Sequence, residues 1–397
     1  MLLLLGDFVL NLPKFTVRSG FVKIYFGVGS VGALRGWARG FRRVFVVTGR
    51  TSAKVSGALQ DVEGILKELG IKYRVFDCVV PNPTVSIVNE LAAEMWRFSS
   101  EAAIAIGGGS VIDTAKLASV IARCGGDVRD YLKGIREPYT SLPLAAVNLT
   151  HGTGTEADRY AVATIEETDE KVGLGSECMY PSVSIDDPNY LKTLPKEQTL
   201  YTTLDALYHS IESATSASSS PYTELLAEKA VELIVKWLPV VVNDLSNLKA
   251  RYWLLYASMI AGISIDHGRT HLIHALEHAL SGLNPKLAHG CGLAIIGPHI
   301  VELIYKARPE TMHKLLKHID PTLKPTVEHA EKAAKALRKF QEQVGFKEKL
   351  TDYEFTAKHL SRVKKLTMKS QEHLIKLAPF KVTDSMIERI YRSALQD

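Results

Sequence analysis

The sequence predicts two domains of different class, an α/β domain on a mostly parallel sheet over 1–190 and an all-α domain over 191–397. Three observations point to this. The first half alternates short β-branched runs with amphipathic stretches, an order that gives parallel strands covered on both faces by helices. From about Pro195 strand-like runs nearly vanish and helical spacing holds to the carboxyl end. Between the two regions Asp187-Pro188 breaks the chain. A length of 397 residues, 46% apolar and 23% charged, suits an ordinary globular chain of about two domains.

Each element has its own reason. Val44–Val47 is brief, wholly apolar and stopped by Thr48-Gly49, which predicts a buried strand. Val55 to Leu69 has helical spacing and ends at Gly70. Tyr73–Phe76 is a second strand, and Pro81-Asn82-Pro83 breaks the chain before a helix from Thr84. Ala102–Ile106 is a third strand, with a helix from about Ser110 to Ala122, and Leu144–Val147 is a fourth. In the second half Glu224 to Trp237 and Ala330 to Val344 carry helical spacing.

Composition excludes several classes. A net charge of +5 is mild for this length, and the basic residues of the last ninety positions, such as Lys364-Lys365, suit a solvated helix face, so no nucleic-acid partner is expected. Met1–Asp7 has no basic start, and its apolar run is shorter than the roughly seven to fifteen residues of a signal peptide. No uncharged stretch approaches the ~18 residues of a membrane helix. Cys78, Cys124, Cys178 and Cys291 lie far apart with no C-x-x-C pair, which suits a reducing compartment and leaves sulfur out of a metal site. The expectation is a soluble, cytoplasmic protein.

The third strand opens into Gly107-Gly108-Gly109-Ser110 and a helix. Glycines let backbone amides approach a charged group, and a helix start adds unpaired amides and a positive dipole end. Ser110 adds a hydroxyl donor. Tight strand-to-helix turns also need glycine for packing alone. The string is neither G-x-G-x-x-G nor a Walker loop.

Metal-grade ligands fall in two clusters. Asp205 and His209, at i and i+4, share a helix face and suit one divalent ion; a helix-start carboxylate and a core histidine would read the same. His267, His271, His274 and His278 recur at four, three and four, followed by His289-Gly290. Gly268 favours a helix start near His271, which leaves His267 in the connection, and Ser281-Gly282 ends that helix. Buried imidazoles need partners, so this stripe is hard to explain by packing; spacing does not say which of them binds. His274-Ala-Leu-Glu277-His278 also matches the H-x-x-E-H signature of zinc metallopeptidases, a reading that leaves Asp205, His209 and the glycine turn idle.

Phe26-Gly27-Val28-Gly29, Pro81-Asn82-Pro83-Thr84, Gly107 to Lys116, Thr150-His151-Gly152-Thr153-Gly154-Thr155-Glu156, the Asp205/His209 pair, and His274 to His278 with His289-Gly290 occur here in one order. In that order they resemble the iron-containing (group III) alcohol dehydrogenases, most strongly over 20–300. The resemblance implies a dehydroquinate synthase-like fold, with a Rossmann-like dinucleotide-binding domain, a helical metal-binding domain and the active site between them. It implies Asp205, His209, His274 and His289 as metal ligands and His278 beside the metal without ligating it. Gly108, Gly109 and Ser110 would hold the pyrophosphate, with Asn82, Thr150, Thr153 and Lys171 along the rest of the groove. A small alcohol or aldehyde substrate, Fe2+ (or Zn2+) and a homodimer or higher homo-oligomer are the corresponding expectations.

Three departures from the family pattern stand out. Asn148-Leu149-Thr150 replaces Pro-Thr-Thr, and the interval from His274 to His289 is one residue longer. Where many NAD-using members end their first strand with Asp, this chain reads Thr48-Gly49-Arg50-Thr51-Ser52. A carboxylate there would repel a 2′-phosphate, whereas Gly49 leaves room and Arg50 can pair with it, so NADP is expected over NAD. The overall expectation is a hydride transfer between a primary alcohol and NADP at a divalent ion, with His278 passing the released proton to solvent. The rivals are a polyol or glycerol dehydrogenase, a sugar-phosphate cyclase on the same scaffold, the metallopeptidase, and a non-catalytic binding protein. A cyclase would need a basic cluster at the metal mouth, and none is apparent in the sequence near His274.

Overall fold

The structure, a computed structural model, describes residues 15–396. The run Met1–Asp7 considered above lies outside the described residues. The strands are β1 (Phe15–Ser19), β2 (Val22–Phe26), β3 (Arg43–Gly49), β4 (Lys72–Val79), β5 (Ala102–Gly107), β6 (Leu144–Asn148), β7 (Tyr160–Ile165), β8 (Glu170–Gly175) and β9 (Val183–Asp186). Seven of them form one sheet in the order β1-β2-β9-β6-β5-β3-β4. The β1–β2 pair is antiparallel and the other neighbours are parallel. A separate antiparallel hairpin, β7–β8, buries Ala161, Ala163 and Ile165 in a core shared with the helix Gly109–Cys124.

Strand periodicity accounts for the two faces. Val44 and Val46 of β3, with Ile104 and Ile106 of β5, pack against Val62, Ile65 and Leu66 of the helix Ala58–Glu68. Phe45 and Val47, with Ala103 and Ala105, face the helices Val85–Arg97 and Gly109–Cys124 through Val88, Leu91, Ile112 and Ala115. Alternate residues therefore feed opposite cores, as a strand buried on both sides requires.

The four strands expected at 44–47, 73–76, 102–106 and 144–147 are β3, β4, β5 and β6. The single helix expected over Val55–Leu69 is instead split into Ser52–Val55 and Ala58–Glu68, because Gly57 takes φ 81 between them. β1, β2, β9 and the hairpin were not singled out in the sequence; β9 has only four residues, too few for periodicity to show.

β4 lies on one side of β3 and β5 on the other, so the chain reverses its course across the sheet between β3 and β5. Gly49 and Gly107, the last residues of those strands, sit beside each other at that point. Open α/β sheets bind ligands at such a reversal, beyond the carboxyl ends of the strands.

The second half is built around the helix Lys196–Thr215, buried along most of its length. Pro221–Asn243, Leu248–Gly268 and His289–Ala307 pack against it in one continuous apolar core. The expected segments 224–237 and 330–344 lie in Pro221–Asn243 and Ala330–Gln343. Ser220 caps the former, accepting from Thr223 N at 3.3 Å, with Pro221 at the first helical position. Among the described residues no helix is long and apolar enough to cross a membrane.

Candidate metal and cofactor site

Asp205 and His209 share the buried face of Lys196–Thr215, one turn apart. His274 comes from Leu272–Leu283, and His289 is the first residue of His289–Ala307. Their ligand atoms lie within 4.8 Å of one another. Asp205 Oδ1 is the centre: His209 Nε2 lies 3.4 Å from it, His274 Nε2 3.6 Å and His289 Nε2 3.7 Å. The His209 and His274 rings stack at 4.6 Å with an interplanar angle of 13°, so both present the same edge.

Each imidazole is held by its other nitrogen. His274 Nδ1 is 2.5 Å from Glu212 Oε2, His289 Nδ1 bonds Glu277 Oε2, and His209 Nδ1 is 3.4 Å from the Gly152 carbonyl. An acceptor at Nδ1 places the proton there and leaves Nε2 bare, which is how metal-ligating histidines are oriented. Asp205 Oδ1 and His274 Nε2 are buried without a hydrogen-bond partner. A buried polar atom left so is costly, and a cation among the four groups would satisfy both. The residues fit a divalent ion with nitrogen and oxygen ligands.

The fields in the site are strong. Burial opposes charge on Asp205, but His209, His289 and His274 outweigh it and hold the carboxyl below its usual range. Burial drops His209 to about 4. At His274 burial is overcome by Asp205 and Glu212, which raise it to about 9, so without an ion Nε2 holds a proton that a bound cation would displace. Glu277 goes to about 2 because His289 and Lys171 outweigh its burial. His278 is pushed well down by burial and by Lys171, and so stays neutral.

The fourfold histidine stripe is broken. Leu248–Gly268 runs through His267, which therefore lies in a last helical turn and not in the connection; its ring meets Tyr222 at 5.4 Å. His271 caps the next helix, buried, with Nε2 3.0 Å from Thr215 Oγ1 and Nδ1 3.0 Å from Glu212 Oε1. That helix continues to Leu283, beyond Ser281-Gly282. His278 lies outside the four-ligand cluster, its ring 5.4 Å from that of His289 and its Nδ1 3.4 Å from Gln371 Oε1. Glu277 and His278 also converge with His289, but Glu277 Oε2 is engaged by His289 Nδ1 and lies 3.7 Å from Lys171 Nζ. This position supports His289 from behind and does not suit the activation of water that a metallopeptidase requires.

The glycine turn is packed as well as open. A Cβ on Gly107 would meet Val111 at 2.5 Å, on Gly108 Thr150 Cγ2 at 2.6 Å, and on Gly109 Thr153 Cγ2 at 2.5 Å. Glycine thus brings the 150–153 loop against the first turn of Gly109–Cys124, where Gly109, Ser110 and Asp113 line a chamber of about 500 Å³. Asn82, Gly109, Ser110, Thr153, Lys171, His278 and the four metal candidates line this chamber. Gly107, Gly108 and Thr150 stand behind that lining, and Gly49 and Arg50 lie outside it, at the sheet reversal. Nothing in the backbone demands glycine at 49, where a Cβ would be 3.4 Å from the Val79 carbonyl; its missing side chain is space.

Asn82 and Lys171 are bracing residues as well as chamber walls. Asn82 Nδ2 donates to the Pro285 and Leu287 carbonyls at 2.9 and 3.1 Å. Lys171 Nζ donates to Asn82 Oδ1 at 3.0 Å and Ser281 Oγ at 2.9 Å. They tie the β-domain to the loop that ends at His289. Glu212 and Gln371 were missed in the sequence, and Glu277 was singled out only within the metallopeptidase signature, because nothing local marks a residue as the partner of a distant histidine.

The chain matches two family models in tandem, iron-containing alcohol dehydrogenase over 22–188 and the Fe-containing alcohol dehydrogenase C-terminal model over 199–395. It is 42% identical over 378 residues to the long-chain primary alcohol dehydrogenase AdhA of Thermoanaerobacter ethanolicus, covering 93% of this chain and 95% of that one. It is 32% identical to the 1,3-propanediol dehydrogenase of Klebsiella pneumoniae over 79% of this chain and 81% of that one. Among solved structures, an archaeal Red Sea brine pool alcohol dehydrogenase superposes with a TM-score of 0.90 at 27% identity, covering 97% of this chain and 99% of that one. The NADH-dependent butanol dehydrogenase A of Thermotoga maritima gives 0.87 at 29%, covering 96% and 98%. With two matched models spanning most of the chain and four metal-grade side chains converging where the glycine turn meets the helical half, this chain belongs to the iron-containing alcohol dehydrogenase family.

Proposed function

We propose that the protein is a cytoplasmic, homo-oligomeric alcohol dehydrogenase and aldehyde reductase that moves hydride between a primary alcohol and NADP, with Fe2+ at the Asp205, His209, His274 and His289 cluster. The observation that carries this reading is that Asp205 Oδ1 and His274 Nε2, buried and without partners, face the chamber that Ser110 and Gly109 also line. When bound, the ion supplies positive charge that lowers the pKa of a substrate hydroxyl, and the nicotinamide supplies the hydride acceptor.

The chain's own residues do the rest. Gly108, Gly109 and Ser110 hold the pyrophosphate at a helix start. Asn82, Thr150, Thr153 and Lys171 shape the groove. His278, buried with its ring 5.4 Å from that of His289, relays the proton released from the hydroxyl towards solvent. Gly49 and Arg50, beside Gly107 at the sheet reversal, favour the 2′-phosphate by space and charge.

The test is enzyme reconstituted anaerobically with Fe2+ or Zn2+ and assayed with NADP or NAD over a panel of alcohols and diols. The expected result is turnover of primary alcohols with kcat/KM at least tenfold higher for NADP. A clear NAD preference overturns the cofactor reading, and near-normal kcat across pH in His278→Ala overturns the proton role.

A further inference from the structure

The chamber that holds the metal candidates also carries two guanidiniums, a basic pair that the sequence did not reveal near His274 and that the dehydrogenase reading does not require. Arg159 comes from the loop before β7, and Arg269 from the end of Leu248–Gly268; both line the chamber. They flank one ring, that of Tyr160, with the Arg159 guanidinium carbon 5.5 Å and that of Arg269 5.6 Å from its centroid. Both positive charges therefore lie close to one aromatic ring, and the carboxylates nearby do not neutralise both. Arg159 has partners of its own, with Nε 3.7 Å from Asp266 Oδ1 and Nη2 donating to the Asp266 carbonyl at 3.3 Å and the Tyr160 hydroxyl at 3.4 Å, so Arg269 is the cation left over. Asp113 and Asp158, also in the wall, are committed to Thr155 and Lys116 at 2.7 and 3.0 Å. Glu177 is exposed at the rim. No carboxylate among the described residues pairs with Arg269.

The backbone adds an independent observation. Arg269 stands at φ 63, ψ 166, a region that side chains other than glycine's rarely enter and that costs free energy to hold. Gly268 precedes it, so a glycine one position later would have made this turn without strain. Such outliers persist where function needs the side chain. His373 opposite is pushed down by burial and by the Arg269 charge, so the mouth stays a two-arginine site at neutral pH.

We propose that Arg159 and Arg269 form an anion subsite in the wall of the chamber, so that the preferred substrates are alcohols and aldehydes carrying a carboxylate. The hydroxyl end lies at the metal cluster, and the carboxylate pairs with the Arg269 guanidinium in the bidentate manner that arginine favours, with the Arg159 charge adding to the attraction. This rests on the dehydrogenase reading for the reacting end only; the subsite itself is a property of the two arginines.

The metal-reconstituted enzyme is assayed with 4-hydroxybutanoate, 6-hydroxyhexanoate and 8-hydroxyoctanoate, each beside the matching α,ω-diol. At least one hydroxy acid is expected to exceed its diol in kcat/KM by about tenfold or more, and Arg269→Gln to lower that ratio at least tenfold. Taking a ratio within each preparation removes differences in metal loading. Arg269→Gly, which relieves the backbone strain, is expected to melt at a higher temperature while losing the same preference. Calorimetric binding of hexanedioate, which cannot react, reads the subsite without turnover: about tenfold weaker binding in Arg269→Gln is expected. If no alcohol turns over but hexanedioate still distinguishes the variant, the subsite stands and the dehydrogenase reading falls. A ratio unchanged by Arg269→Gln overturns the proposal, as does an effect confined to the KM for NADP, which would assign the guanidinium to the nucleotide.

Discussion

Glu212 Oε2 lies 2.5 Å from His274 Nδ1, while Glu212 Oε1 accepts from the Ile273 amide at 2.6 Å, so one buried carboxylate fixes both the start of a helix and the tautomer of its histidine. Orienting partners of this kind are worth roughly 10–100-fold in metal affinity. Glu212→Gln is expected to weaken Fe2+ or Zn2+ binding by about that factor in a competition titration with a chromogenic chelator. Unchanged affinity would mean that His274 is oriented by its helix alone.

Metal should stabilise the fold, since the four ligands come from three helices. At a free ion concentration of about 100 times Kd, linkage gives about 2.7 kcal/mol. Thermal melting with and without Zn2+ checks this, and Asp205→Asn is expected to abolish the shift. A shift of equal size in that variant would place the ion elsewhere.

Gly290 sets the position of His289. A Cβ there would stand 2.0 Å from the Tyr201 carbonyl, one helical turn from Asp205, and 3.3 Å from Asp205 Cβ. Gly290→Ala must push His289–Ala307 away from Lys196–Thr215, at a cost of roughly 1–3 kcal/mol. Metal affinity is expected to fall at least tenfold alongside the drop in melting temperature. Loss of stability with full metal affinity would show that the ligand loop moves independently.

Gly49 offers a direct test of cofactor choice. Gly49→Asp places a carboxylate where the 2′-phosphate is expected, and the NADP-to-NAD ratio of kcat/KM should fall at least tenfold. An unmoved ratio would remove Gly49 from the cofactor groove.

A pH dependence follows from Asp186, which burial above all pushes up to about 7. Its Oδ1 accepts from Asn148 Nδ2 at 3.2 Å, and Oδ2 has no partner. The folded chain keeps this proton where the unfolded chain has lost it. Stability therefore falls as pH rises from the ordinary carboxyl range towards neutrality. Asp186→Asn should flatten the decline in melting temperature between pH 5 and 8. A slope as steep as that of the parent would assign the loss to another group, Glu156 being the nearest candidate, since its carboxyl is also raised by burial and by Asp186.

Much of this protein was readable from neighbouring residues. The run from Ala102 to Ser110 announces strand, turn and helix because each depends on local sterics and apolar spacing, and the structure places them accordingly. Gly57 was the exception: its φ of 81 breaks a helix whose apolar pattern runs straight through it. Arg159 and Arg269 could not be found, because they lie far apart in the chain and meet only across the Tyr160 ring.

By itself the sequence determined the two classes of secondary structure, the glycine turn and the i, i+4 pairing of Asp205 with His209, since periodicity and backbone sterics act within a few residues. Tertiary structure alone decided that Asp205 Oδ1 is the common neighbour of three imidazoles, that Glu212 and Glu277 stand behind two of them, and that Lys171 bridges Asn82 to Ser281. Those relations are set by how helices pack around a shared core, and the directions of buried side chains there depend on contacts that no local pattern encodes.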